Sequence, residues 1–299
     1  MSKNTISGPE RLLAFMLERH RIYQRRFVEK LLPPWTEDTI LQRFKFTNVY
    51  RELDRVTIWI REHIREPYAK HPNLWFMLCL ARQINWPPML QELMNKSAWP
   101  TGTWNPRKAR DIMQRWKAAG RKCYTGAYML NAHGVDINDP KDKAYFTCYY
   151  VLNKLWKERD KVILPALKEN SLQVFCDTIQ QYHGWGGFTA YEAACDLRWT
   201  RYLKNATDIN TWANVGPGAV RGLNRVYDRE LKTPVKQEPA LAEMRNLLLY
   251  LQKKWPKDWP VLELREVEHS LCEADKYERV RLGEGRPRAL FTSGCLVDG

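Results

Sequence analysis

The chain has 299 residues, enough for one large domain or two interlocked ones, and a formal charge of +14 with a pI of about 9.5. That charge points to a polyanionic partner, although an anionic membrane surface or plain solubility would also account for it. No apolar run approaches the roughly 20 residues of a membrane span, and the cysteines form no CxxC pair and no His-Cys cluster, so the expectation is a soluble, cytoplasmic protein with free thiols.

In chain order, residues 9–31 predict an amphipathic helix, with Leu12, Phe15, Met16 and Phe27 near one face and Arg19, Arg21, Arg25 and Arg26 opposite. Pro33-Pro34 ends it. The stretch 44–57, FKFTNVYRELDRVT, predicts a helix capped at Thr47 or Asn48 and running to about Ile64. On such a helix Arg51, Asp54 and Arg55 share a face at i, i+3 and i+4, either as a site or as a solvated or ion-paired surface. Residues 73–84 are strongly apolar, with Leu74, Trp75, Phe76, Met77, Leu78 and Leu80, and read as a core helix. Residues 106–119 follow with Arg107, Lys108, Arg110, Arg115 and Lys117 on the exposed side. The stretch 124–129 is ambiguous between helix and strand. Helical periodicity resumes at 145–156 and 164–182, then breaks at the glycine-rich loop 183–187. Further helices are expected at about 188–202, 218–231, 239–254 and 263–277, before a tail from Gly283 too rich in Gly and charge to fold alone. No long period-two pattern appears, so the fold class is mainly α. The organisation expected is an N-terminal helical extension (1–40), a helical domain (41–282) and a basic tail (283–299).

Residues 215–223, VGPGAVRGL, read as a tight turn feeding a helix. Free N–H groups there could hold a phosphate oxygen of DNA, with Gly216, Gly218, Ala219 and Arg221 against the backbone. Alternatively the sequence is only a turn.

Three segments together resemble a known family. FKFTNVYRELDRVT, GFTAYEAACDLRWT with its downstream GPGAVRGL, and EVEHSLCEADKYERVRLGEGRPR are similar to the helical, DNA-glycosylase-like proteins of bacteriophage thymine hypermodification. That group includes the amino acid:DNA transferases, also described as α-glutamyl/putrescinyl thymine pyrophosphorylases, and the helical domain attached to 5-hydroxymethyluracil DNA kinases. The resemblance covers residues 40 to 290 and implies a DNA-glycosylase-like helical fold with a helix-hairpin-helix motif. It implies action on double-stranded DNA carrying a modified thymine, 5-pyrophosphoryloxymethyl-deoxyuridine, in the cytoplasm of a phage-infected bacterium. An amine co-substrate, such as glycine, another amino acid or a polyamine, displaces pyrophosphate. No G-x-x-x-x-G-K-[ST] loop occurs in these residues, so phosphorylation by that route is not expected. The region beyond the hairpin reads Lys236-Gln237-Glu238-Pro239 without the aspartate of base-excision glycosylases, so base excision is not inferred.

For this chemistry, fixed cations would stabilise departing pyrophosphate: Arg51, Arg55, Lys276, Arg279, Arg286 and Arg288, with Asn48 beside them. For Arg286 and Arg288 the alternative is nonspecific DNA binding by a basic tail. A base flipped from the duplex could stack on Tyr50, Tyr191 or Trp199, each of which could instead be core. Asp54, Glu268 and Asp196 are the candidate acids and bases for the amine. Asp196 could equally form a buried ion pair. Glu268, Cys272 and Asp275 fall on one helical face. No cofactor is required by the sequence and no metal-ligand spacing is present, although a divalent cation could bridge carboxylates to pyrophosphate. The rival readings are a non-catalytic DNA-binding, base-flipping module and a base-excision glycosylase.

Overall fold

Helix-forming sequence dominates this computed structural model, which describes residues 6–126, 142–287 and 289–291. In chain order the helices are α1 (Gly8–Tyr23), α2 (Thr39–Arg43), α3 (Arg55–Ile60), α4 (Leu74–Ile84), α5 (Pro87–Asn95), α6 (Pro106–Ala118), α7 (Lys143–Tyr145), α8 (Lys154–Lys157), α9 (Arg159–Glu169), α10 (Leu172–Ile179), α11 (Gly187–Leu197), α12 (Pro217–Val226), α13 (Gln237–Lys254) and α14 (Leu264–Arg281). Wider helical turns extend α1 through Gln24–Val28, extend α3 through Arg61–Arg65, and join α7 to α8. Among the described residues there is no strand, only an isolated antiparallel bridge between Phe44 and Leu290.

The chain divides into two units. The first comprises residues 1–54 and 209–298, and the second residues 55–208. This differs from the expected boundaries at residues 40 and 282. Helix α1 is no extension: its buried face of Leu12, Phe15, Met16 and His20 packs on α12, α13 and α14. Residues 289–291 are likewise tied back, with the Phe291 N–H on Arg43 O and the Lys45 N–H on Ala289 O.

The first unit rests on the pairing of α12 with α14. Both helices carry small or buried faces, and two glycines one turn apart on α12 let the backbones approach. A Cβ at Gly222 would lie 2.3 Å from the carbonyl oxygen of Leu271, and one at Gly218 would lie 2.3 Å from the sulfur of Cys272. Further contacts join the same two helices, with Gly216 beside Glu268 and Arg221 and Arg225 on Asp275.

In the second unit α4 is buried along all its length, from Leu74 to Ile84. It packs against α11. The single helix expected at 164–182 is two helices. Asn170 takes a left-handed conformation (φ 48°) that ends α9, and Ser171 starts α10 by accepting from the Val174 N–H. The sequence reading also passed over α5, whose first turn is set by Pro87 and Pro88 after Trp86.

The glycine contacts predict unequal costs on α12. Gly222→Ala should destabilise by about 1–3 kcal/mol because it meets immovable backbone, whereas Gly218→Ala should cost less because the Cys272 sulfur can rotate away. Urea midpoints of the two variants decide this, and equal or neutral midpoints would remove close packing as the reason for these glycines.

Candidate functional site

The expected helix from residue 47 does not form. Residues 45–48 are extended, Arg51–Leu53 is a single tight turn, and α3 begins only at Arg55. The cause is local capture of backbone groups by side chains. The Asp54 carboxylate accepts from the Asn48 backbone N–H at 2.9 Å and from the Asn48 amide at 3.0 Å, while that amide also donates to the Leu53 carbonyl. Arg51 Nε lies 2.9 Å from the other Asp54 oxygen. Arg19 of α1 completes the loop by donating to Asn48 Oδ1 at 2.9 Å.

This polar knot sits on α14. His269 faces the Asn48 carbonyl at 3.1 Å through Nε2 and the Arg265 carbonyl at 2.8 Å through Nδ1. Burial, with Arg51 and Arg265 nearby, pushes His269 down to about 3, so the ring is neutral and donates to only one of the two carbonyls. Burial raises Asp54 above the ordinary aspartate range, opposed by Arg51 and by the Asn48 hydrogen bonds. Glu266, buried one turn before His269, is raised to about 7 by the same loss of solvent. A second link is made by Glu273, which accepts from the Thr47 N–H and pairs with Lys276 at 2.6 Å.

The face of α14 bearing Glu268, Cys272 and Asp275 packs against α12. Glu268, half-buried, reaches within 4.0 Å of where a Cβ on Gly216 would stand, at the start of that helix. Asp275 is fully buried and receives Arg221 at 3.0 Å, Arg225 at 2.8 Å and Arg279 at 3.4 Å. Arg221 and Arg279, expected on DNA backbone and on pyrophosphate, are thus anchored on an internal carboxylate with their outer atoms partly exposed. Gly218, expected to admit a phosphate, is filled against by Cys272, which corrects that reading. Ala219 is buried. The two helices expected to flank the hairpin fall in different units, α11 in the second and α12 in the first.

Several other expectations are corrected by burial. Tyr50 is only 7% exposed, its hydroxyl accepts from Trp255 Nε1 at 2.8 Å and donates to the Pro260 carbonyl, and its ring packs on His20, so it offers no face to a base. Tyr191 is buried on α11. Trp199 remains half exposed under Arg198. Arg55 and Arg286 are exposed, and Arg288 lies outside the described residues.

Asp196 belongs to the second unit and has no exposure. Its two oxygens take Arg82 Nε at 2.6 Å and Nη2 at 3.0 Å, with Arg65 at 3.8 Å. Arg82 also meets Glu192 at 3.3 Å and Thr57 at 3.2 Å. This is the buried ion pair left open above, made with Arg82 and not with Arg198.

Arg19 was placed on the outer face of α1, yet it follows Phe15 by four residues and Met16 by three, so the helical repeat itself sets it on the inward stripe. Arg82, 114 positions from Asp196, carried no such local signal. The groove of about 1300 Å³ in the first unit is lined by Arg11, Arg225, Tyr277 and Glu284 among others, and by neither Asp54 nor Glu268. Among the described residues no group of three or more His, Cys, Asp or Glu could hold a metal ion, and no helix is long and apolar enough to cross a membrane.

Residues 9–286 match the family described as 5-hmdU DNA kinase, helical domain. The chain belongs to that family. A 5-hmdU DNA kinase of Bacillus phage SP10 is 23% identical over 292 residues, an alignment that takes in 88% of this chain and 43% of the relative. The chain therefore spans less than half the length of that kinase. No solved structure matches it. For this family member, the matched range includes α1 and both parts of the first unit, in keeping with α1 being integral.

Two outcomes are expected from the buried charges. Arg82→Met leaves Asp196 buried without its main partner and should cost about 3–5 kcal/mol in urea unfolding; a loss below about 1 kcal/mol would mean that Arg65 alone suffices. His20, enclosed by Tyr23, Tyr50, Trp255 and Trp259, is lowered to about 4 by burial and by Arg19. An unfolded imidazole protonates near 6.5, above both folded values, so the stability from neutral His20 and His269 is complete above about pH 6.5 and drains as pH falls towards 4 and 3. Glu266, raised to about 7, works the other way and gains stability over the same range, so the check is a difference: between pH 6.5 and 5 the melting temperature of His20→Leu should fall less, or rise more, than that of the parent.

Proposed function

We propose that the chain acts on DNA in phage thymine hypermodification, as a transferase that replaces the pyrophosphate of 5-pyrophosphoryloxymethyl-deoxyuridine with an amine. The observation that carries this reading is the meeting, in the first unit, of parts of the three motifs: Asn48 of FKFTNVYRELDRVT on His269, Thr47 on Glu273, and Gly216 of GPGAVRGL beside Glu268. Membership in a family named for 5-hmdU DNA kinases supports the nucleic-acid context. The DNA-glycosylase-like fold and the helix-hairpin-helix remain part of this proposal, with α12 supplying the backbone-facing helix start.

In the reaction, the amine nitrogen forms a bond to the exocyclic CH₂ carbon as its C–O bond to pyrophosphate breaks. The leaving group takes the electron pair, and the ammonium product gives up a proton. Arg51 stabilises the charge developing on pyrophosphate, and Asp54 and Asn48 fix its direction. Glu268, half-buried at the start of α12, holds the amine and accepts the proton. Asp54, whose oxygens are already engaged, acts as the positioning carboxylate. Lys276, Arg279 and Arg286 supply outer positive charge. Neither Asp196 nor Tyr50 and Tyr191 enters the mechanism.

The second reading, a non-catalytic module that presents bases to another enzyme, is favoured by one observation: the chain matches a minor part of its relative. Nucleoside mass spectrometry separates the two. DNA containing pyrophosphorylated hydroxymethyluracil, incubated with the chain and a panel of amines, should yield an aminated thymine and free pyrophosphate. Arg51→Lys, which keeps charge but loses the two-pronged contact, should slow release by about 10- to 100-fold at unchanged melting temperature. Binding without any product across the panel would leave the presenting module standing and end the transferase reading.

A further inference from the structure

Helix α6 of the second unit is amphipathic in an extreme way. Ala109, Ile112 and Met113 are buried, while Arg107, Lys108, Arg115 and Lys117 are exposed on the remaining arc. The turn that follows adds Arg121 and Lys122, both exposed. Among the described residues, the ion pair on this helix joins Arg110 to Asp142, and none of those six cations lies within ion-pair reach of a carboxylate. Asp111 is the one acid on the helix itself.

The last two cations are held in place. The Arg121 guanidinium stacks over Trp116 at 4.5 Å and the Lys122 ammonium lies 5.7 Å from the Trp86 ring. Trp116 is itself fixed, its Nε1 donating to the Lys122 carbonyl at 2.9 Å. Six like charges spread over the exposed half of the helix and the turn after it repel one another and serve nothing in the core, so the arrangement is suited to a partner that neutralises them. Cations already ordered on aromatic faces lose less freedom when such a partner arrives.

We propose that the exposed face of α6 and the turn through Lys122 form a surface that grips the phosphate backbone of duplex DNA. The proposal rests on the reading of the chain as a DNA-acting protein and assigns a part of the grip to the second unit, apart from the residues of the first unit described above. The dimensions agree: 13 residues of helix extend about 20 Å at 1.5 Å per residue, over which a duplex presents about 11 to 12 charges. The contacts are to phosphate and carry no sequence preference.

The test compares two triple variants of the full chain by fluorescence anisotropy on a labelled, unmodified duplex across a salt series. Arg115→Ser/Lys117→Ser/Lys122→Ser removes charge from the proposed surface. Lys232→Ser/Lys253→Ser/Lys257→Ser removes the same charge from exposed positions of the first unit. The first should bind at least tenfold more weakly at low salt, with a log–log salt slope shallower by about 2 to 3, while the second stays within about twofold of the parent. Both should melt with the parent protein. Equal losses in the two variants, or an unchanged α6 variant, overturn the surface while leaving DNA as the substrate. A parent chain that binds no duplex overturns the surface and the proposed function together.

Discussion

Two glycines one helical turn apart set how closely the helix Pro217–Val226 can lie on the last long helix, and the rest of the first unit follows from that distance. With the backbones so near, Arg221 and Arg225 both reach the buried Asp275 from the same side, and Cys272 fills the notch at Gly218. A side chain at Gly222 would meet the Leu271 backbone and push the helices apart, drawing the arginines away from the carboxylate. The same approach brings Glu268 to the first turn of the neighbouring helix, where the partial positive charge of free N–H groups favours a carboxylate. The N-terminal helix then closes over this pair, and its own first residue, Gly8, meets the Val226 backbone where no Cβ would fit.

The Arg82–Asp196 and Arg51–Asp54 pairs differ in how they are held. Arg82 and Asp196 make two aligned contacts, with further oxygens from Glu192, Thr57 and Asn85 around the guanidinium. Such a pair is costly to break and has little to gain from moving. Arg51 and Asp54 lie at ion-pair distance without the geometry of a hydrogen bond, and both retain some exposure. The first pair is a strut. The second pair closes a local loop, where Asp54 is also held by both Asn48 N–H groups.

Element identity was legible where a face repeated over several turns. The buried helix at 74–84, the basic helix at 106–118 and the last two long helices follow from periodicity, because burial of one face overrides weak local preferences there. The stretch 44–54 is not α-helical, since Asp54 captures the Asn48 N–H and the Asn48 amide captures the Leu53 carbonyl, groups that a helix would have used. Tyr50 could stack a base or fill the core as far as its sequence shows, and its neighbours in space, Trp255 and His20, which decide it, come from far along the chain. Glycines at 218 and 222 have two physical uses, admitting a phosphate or admitting a helix, and spacing alone does not separate them. Pairs such as Arg82 with Asp196 depend on tertiary packing and leave no mark within one window of sequence.

The first unit is assembled from two stretches of sequence, one before and one after the continuous stretch of the second unit, and this has a consequence for synthesis. Residues 55–208 are complete, and free to fold, while the helices from Pro217 onward have yet to be made. Translation at about 5–20 residues per second puts roughly 10 to 50 s between the emergence of the N-terminal helix and that of the helix Leu264–Arg281 that covers it. During that interval the stripe of Leu12, Phe15 and Met16 has no native partner. Until the helix Leu264–Arg281 is made, that stripe is therefore the part of the first unit most exposed to aggregation and most dependent on chaperones.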